Sequence, residues 1–124
     1  MGTTEAEQIV IRFVAAWERA DVDELLDYFA EDAVWHPIPM KPTVGKAALR
    51  EVLSLWLDGT APRSGEITLQ VSDGKTVMHE RTDHSARRPG DGNQVRAVFE
   101  IDNGLITAWR EYFDMSQFEA DPLW

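Results

Sequence analysis

The sequence predicts an α+β domain: N-terminal helices packed in the concave face of a curved, mixed, mostly antiparallel sheet. Two observations lead there. Up to about residue 58 apolar residues recur at helical spacing, and from residue 65 onward they alternate with a period of 2. The second half is also punctuated by "SDGK", "RRPGDGN" and "DNG", which supply the Gly, Asn and Asp that hairpins require. Helices followed by a run of hairpin-linked strands is the α+β order. No repeat or linker interrupts it, so residues 1–124 read as one domain, long enough to bury a core.

The elements follow in order. Residues 4–19 are expected to be an amphipathic helix, with Ile9, Val10, Phe13, Val14 and Trp17 on one face and Thr4 to Glu7 as a capping box. "DVDE" (Asp21 to Glu24) starts a second, short helix with Leu25, Leu26, Tyr28 and Phe29 as its apolar side. "AVWHPIP" reads as a short edge strand or an irregular segment, because proline cannot donate to a ladder. "KAALREVLSLWLD" (46–58) is a third helix, with Leu49, Val52, Leu53 and Trp56 on one face and Gly59 to end it. "GEITLQV", "TVMHERTDHSA", "QVRAVFEI" and "LITAWREYF" are four strands, and "ARRPGDGN" a loop.

Composition bounds the function. A net charge of −10 argues against nucleic acid and anionic membrane surfaces, whose phosphates attract clustered Lys and Arg, and points to a neutral or apolar small molecule. Without cysteine there is no disulfide, thiol nucleophile or thiolate metal site. "MGTTEAEQIV" has neither the basic nor the apolar segment of a signal peptide, so the expected location is the cytoplasm.

Alternation places His79, Arg81 and Asp83 on one face of their strand, and Trp109, Glu111 and Phe113 on one face of the last. If the concave face holds Ala97, Phe99 and Phe113, it also holds Arg81, Asp83 and Glu111. Buried charges are rare unless paired, so this group is either a structural ion-pair network or an acid–base site. The opposite side of the last strand would carry Ile106, Ala108 and Tyr112, an outward apolar stripe suited to homodimerisation through the sheet.

"YFAEDAVWHPIPMKPTVGKAALREVL", "HERTD" and "VFEIDNGLITAWREYFDMSQFE", in this order and spacing, resemble the limonene-1,2-epoxide hydrolase family, over roughly residues 8–123. The resemblance implies the cystatin-like cone fold shared with nuclear transport factor 2 and ketosteroid isomerase. It also implies addition of water to a small apolar epoxide by one-step general acid–base catalysis, with no cofactor. Carried over by motif, "RTD" supplies Arg81 and Asp83, and the acidic residue after "WR" is Glu111 where the family usually has Asp. On that model Glu111 is the base, Asp83 the acid, and Arg81 orients both. The family's water-holding Tyr and Asn fall at Trp35 and Pro37. Trp35 can donate but not accept, and Pro37 offers no side-chain hydrogen bond. Substrate contacts implied by position are Val14, Trp17, Trp35, Pro37, Trp56, Phe99, Phe113 and Phe118, with Leu123 and Trp124 closing the cavity.

His79 could serve as a second base or as a hydrogen-bonded edge of the cavity; His36 alternates to the opposite face. His79 and His84 point to opposite sides, which leaves no ligand spacing for a metal. Two rivals stand beside hydrolysis. One is an isomerase or a cyclase that opens an epoxide with an internal hydroxyl; the other is a non-catalytic binding module with an inert ion network.

Overall fold

A computed structural model describes residues 4–57, 63–85 and 88–114. Helix α1 (Glu5–Trp17) is capped by Thr4, whose hydroxyl accepts from the Glu7 amide at 3.1 Å. Helix α2 (Val22–Leu26) is capped by Asp21, which accepts from the Glu24 amide at 3.2 Å. Strands β1 (Phe29–Ile38) and β2 (Thr43–Val44) precede helix α3 (Lys46–Trp56). Then come β3 (Arg63–Ser72), β4 (Thr76–Ser85), β5 (Arg88–Asp102) and β6 (Leu105–Phe113). The sheet is open and six-stranded in the order β2-β1-β6-β5-β4-β3, with β1 parallel to β6 and every other pair antiparallel.

The expected turn chemistry is present. Asn103 and Gly104 both take positive φ (50° and 75°), the two-residue turn whose twist suits a hairpin. Asp73 Oδ1 accepts from the Lys75 and Thr76 amides at 2.9 and 2.8 Å, closing the β3–β4 turn.

Register irregularities in the β1–β6, β3–β4, β4–β5 and β5–β6 ladders bend the sheet. Helix α1 packs against β3 and β4, and α3 against β1. Phe13 is the hub of the core. Its ring meets Trp17, Tyr28, Phe29, Phe99 and Trp109 edge-on at centroid distances of 5.0 to 6.1 Å, an arrangement that satisfies ring quadrupoles as well as burying area.

Four expectations are corrected. "AVWHPIP", up to Ile38, belongs to a ten-residue strand rather than a short one: β1 pairs with β6 and, at Val34 and Trp35, also with β2, so from His36 onward it is an edge, where Pro37 has a neighbour on one side alone. Phe29 belongs to β1, not to the apolar side of α2. The segment read as a loop is largely strand, since β5 begins at Arg88. Ile106 is fully buried rather than outward. The ladder pairs Glu100 with Ala108 but Ile101 with Ile106, so Thr107 is an extra residue that turns Ile106 to the inside.

The outer face still carries exposed apolar side chains: Leu69, Val71, Met78 and Tyr112. Its ion pairs Glu80–Arg96 and Glu100–Arg110 neutralise one another. No helix among the described residues is long and apolar enough to cross a membrane.

Truncating the hub, Phe13→Ala, is expected to cost about 3–5 kcal/mol. Denaturant unfolding followed by tryptophan fluorescence reads this; a cost under about 1 kcal/mol would remove Phe13 from that position.

Candidate active site

Ladder register places the site residues in rows across the inner face. Gln70, His79, Ala97, Glu111 and Pro37 form one row, from β3 to β1. Ile67, Arg81, Val95 and Phe113 form the next, and Gly65, Asp83 and Asn93 the one beyond. Only Ala97, a methyl group, stands between His79 and Glu111, and this leaves room for Arg81 to reach across β5 to a carboxylate on β6.

Arg81 makes four directional contacts. Nε donates to Asp83 Oδ1 at 2.6 Å, and Nη2 to Asp83 Oδ2 at 3.0 Å. Nη2 also donates to Glu111 Oε2, and Nη1 to His79 Nε2 at 3.1 Å. The Asp83 contact is the bidentate fork that a guanidinium favours. The side chains of Arg81 and Glu111 are 7% and 8% exposed, and that of Asp83 34%, so the buried end of the group is Glu111 and the open end is Asp83. Trp35 Nε1 donates to Glu111 Oε1 at 3.2 Å, so each Glu111 oxygen receives one N–H.

Burial pushes the Glu111 carboxyl up from its ordinary range, and the nearby Asp83 charge adds to this; Arg81 and Trp35 pull the other way without cancelling it. Burial would lower the Arg81 value, but Glu111 and Asp83 overcome that and hold it raised, so the guanidinium stays charged. His79 is pushed down to about 3 by burial and by Arg81. It is neutral, with Nε2 accepting from Arg81 and Nδ1 donating to Gln70 Oε1 at 3.2 Å. Its Nε2 lone pair is thus occupied by the Arg81 N–H.

The surroundings of this group are aromatic. Trp35 stacks on Trp109 (4.8 Å, 10°) and meets Trp56 edge-on at 5.0 Å and Trp17 at 6.4 Å. Phe99 lies 5.3 Å from the His79 ring. Trp109 Nε1 is buried with no acceptor among the described residues, so of the two stacked indoles only Trp35 is tied to the carboxylate.

Of the expected contacts, Val14, Trp17, Trp35, Pro37, Trp56, Phe99 and Phe113 belong to α1, α3 or the inner face; Phe118, Leu123 and Trp124 lie outside the described residues. His36 is on the outer face, since Trp35 and Pro37 on either side of it are buried. Among the described residues no group of three His, Asp or Glu gathers to hold a metal. A charged surface cleft containing Asp23, Lys46 and Arg50 lies between α2 and α3, apart from this group.

Two participants were missed. A β-carbon on Gly65 would come within 3.0 Å of Val14 Cγ1 and 3.2 Å of Asp83 Oδ1, so glycine there makes room for the carboxylate against α1. Gln70 lies outside strict alternation from Gly65 and Ile67, because the register shifts between Ile67 and Leu69.

The chain and its fold have counterparts. A family model for the SnoaL-like domain matches residues 10–109. The chain is 32% identical over 104 residues to epoxide hydrolase EphG of Mycobacterium tuberculosis (strain ATCC 25618 / H37Rv), covering 83% of this chain and 69% of that protein. A solved M. tuberculosis epoxide hydrolase of the limonene epoxide hydrolase-like type superposes with a TM-score of 0.78 at 29% identity, over 91% of this chain and 85% of that one. The epoxide hydrolase/cyclase-like enzyme SalBIII, linked to pyran ring formation in the polyether salinomycin, matches with a TM-score of 0.72 at 22% identity, over 89% and 91% of the two chains. That last likeness is one of fold.

The raised Glu111 value has a thermodynamic consequence. A carboxyl raised in the fold contributes stability that is present below its ordinary value of about 4.5 and lost as pH rises through the raised one. Glu111→Gln removes that loss. The wild-type unfolding free energy, measured relative to Glu111→Gln across a pH series, is therefore expected to fall with rising pH above that point. Parallel profiles would contradict a raised Glu111.

Proposed function

The chain belongs to the SnoaL-like domain family, and on that premise we propose that it is an epoxide hydrolase for small apolar epoxides, acting by one-step general acid–base catalysis. One observation carries the proposal: a single guanidinium nitrogen, Arg81 Nη2, donates to both Asp83 and Glu111 on an aromatic inner face. Two carboxylates sharing one cation, with Glu111 buried beneath the more open Asp83, favour retention of one proton, so the pair holds an acid and a base together.

In the reaction the ionised Glu111 takes a proton from water as the water oxygen bonds to an epoxide carbon. The carbon–oxygen bond of the ring breaks, and the departing oxygen takes its proton from Asp83. The product is a diol, and the pair finishes with its proton on Glu111, where burial favours it. Return of the proton to Asp83, the solvent-facing member, completes the cycle. A buried carboxylate is a strong base once ionised, and the Arg81 and Trp35 N–H groups offset part of the cost of ionising it.

A second reading is favoured by β1. Trp35 spends its N–H on Glu111, and Pro37 has no polar side chain, so neither holds a water as the Tyr and Asn expected from the limonene-1,2-epoxide hydrolase resemblance would. An isomerase, or a cyclase using an internal hydroxyl of its substrate, needs no such holder. The outer sheet face, apolar and internally neutralised, is proposed to join two copies of the chain.

Turnover of small terpenoid and aromatic epoxides in ¹⁸O-labelled water separates these readings. A labelled diol is expected, lost about 10²–10⁴-fold in Asp83→Asn and in Glu111→Gln without loss of fold. Turnover without label would move the function to cyclisation or isomerisation, and ligand binding without turnover to a binding module. By light scattering the chain is expected to be a dimer that Met78→Asp drives to monomer; a monomeric wild type would contradict the sheet interface.

A further inference from the structure

We propose that His79 and Gln70 form a positioning pair that fixes the Arg81 guanidinium, and that His79 does so as a neutral acceptor rather than as a base. This rests on the reading of Arg81, Asp83 and Glu111 as an acid–base site. A guanidinium has five N–H groups in one plane. Asp83 engages the edge formed by Nε and Nη2, and Glu111 draws on Nη2 as well. Those contacts leave Nη1 without a carboxylate among the described residues. His79 Nε2, at 3.1 Å, takes it.

The chemical identity of that third partner matters. A carboxylate at this position would add a negative charge and a second retained proton to a buried group. A donor such as Lys would repel Arg81. A neutral imidazole accepts a hydrogen bond without changing the charge balance of two carboxylates and one cation. It can do so only in the tautomer that bears its hydrogen on Nδ1, and Gln70 Oε1 is placed to accept that hydrogen at 3.2 Å. The ring is held in place by its burial and by Phe99, 5.3 Å away. Gln70 reaches it across the β3–β4 ladder only because the register shift turns that residue inward. Held at three points, the guanidinium sets the separation of Asp83 and Glu111, on which proton transfer at both ends of an opening epoxide depends.

His79→Leu removes the acceptor and keeps the volume apolar; His79→Gln restores a neutral acceptor without a titrating ring. The wild type is expected to show, by ¹⁵N nuclear magnetic resonance on the full chain, a His79 ring protonated at Nδ1 and bare at Nε2 throughout the range where an ordinary imidazole titrates. Its Arg81 Nη signals should be resolved by hindered rotation in the wild type and in His79→Gln, and averaged in His79→Leu. With styrene oxide and limonene-1,2-epoxide as probes, His79→Leu is expected to lose about 10²-fold in kcat with KM little changed, and His79→Gln to recover most of it. A ring protonated at Nε2, resolved Arg81 signals in His79→Leu, or equal kcat in all three folded proteins would overturn the proposal. If the wild type turns over no epoxide, the functional reading fails, and the ring and guanidinium signals alone decide the positioning role.

Discussion

Two carboxylates and one guanidinium share a low-dielectric face, and most of the surrounding structure reads as a consequence of that constraint. Glu111 on β6 and Asp83 on β4 are separated by β5, so Arg81 must reach over a strand to touch both. Ala97 is the residue on β5 that allows it. Gly65 lets Asp83 sit close against α1. Trp35 supplies an N–H to the Glu111 oxygen that Arg81 leaves open, and His79 accepts at Nη1. Unpaired polar groups at this depth would each be costly, which is why the Arg81 and Glu111 polar atoms find partners, although the neighbouring Trp109 Nε1 does not among the described residues.

The aromatic core and the site are one body. Phe13 meets Trp109 and Phe99, Trp109 stacks on Trp35, and Trp35 donates to Glu111. Only two ring contacts separate the hub of the core from the buried carboxylate. The longer reach of Glu compared with Asp and the presence of an indole in place of a phenol at residue 35 belong together on this view: the carboxylate extends to a donor that cannot accept. The indole N–H is thereby engaged and not free for a further group.

Much of this was legible in the sequence. Spacing of two in "HERTD" put His79, Arg81 and Asp83 on one face, and "WREYF" put Glu111 opposite Tyr112; the fold class followed from the change of period. What escaped were the places where a sheet departs from its period. Thr107 is an extra residue that buries Ile106, and the shift between Ile67 and Leu69 turns Gln70 inward; neither carries a glycine or proline to announce it. Pro37 signalled an edge, and at its own position β1 does pair with β6 alone; what the prolines did not announce is β2, which covers β1 at Val34 and Trp35. Bulges come from packing between elements, and alternation along one strand does not contain that information.

The central claim is that the Asp83–Glu111 pair carries a single proton beside a charged Arg81. Neutron diffraction from crystals grown near neutral pH in heavy water observes this directly. The account predicts one deuteron on the pair, a fully deuterated guanidinium, and a His79 ring deuterated at Nδ1 alone. Two bare carboxylates would contradict it, because the pair would then hold a base without an acid.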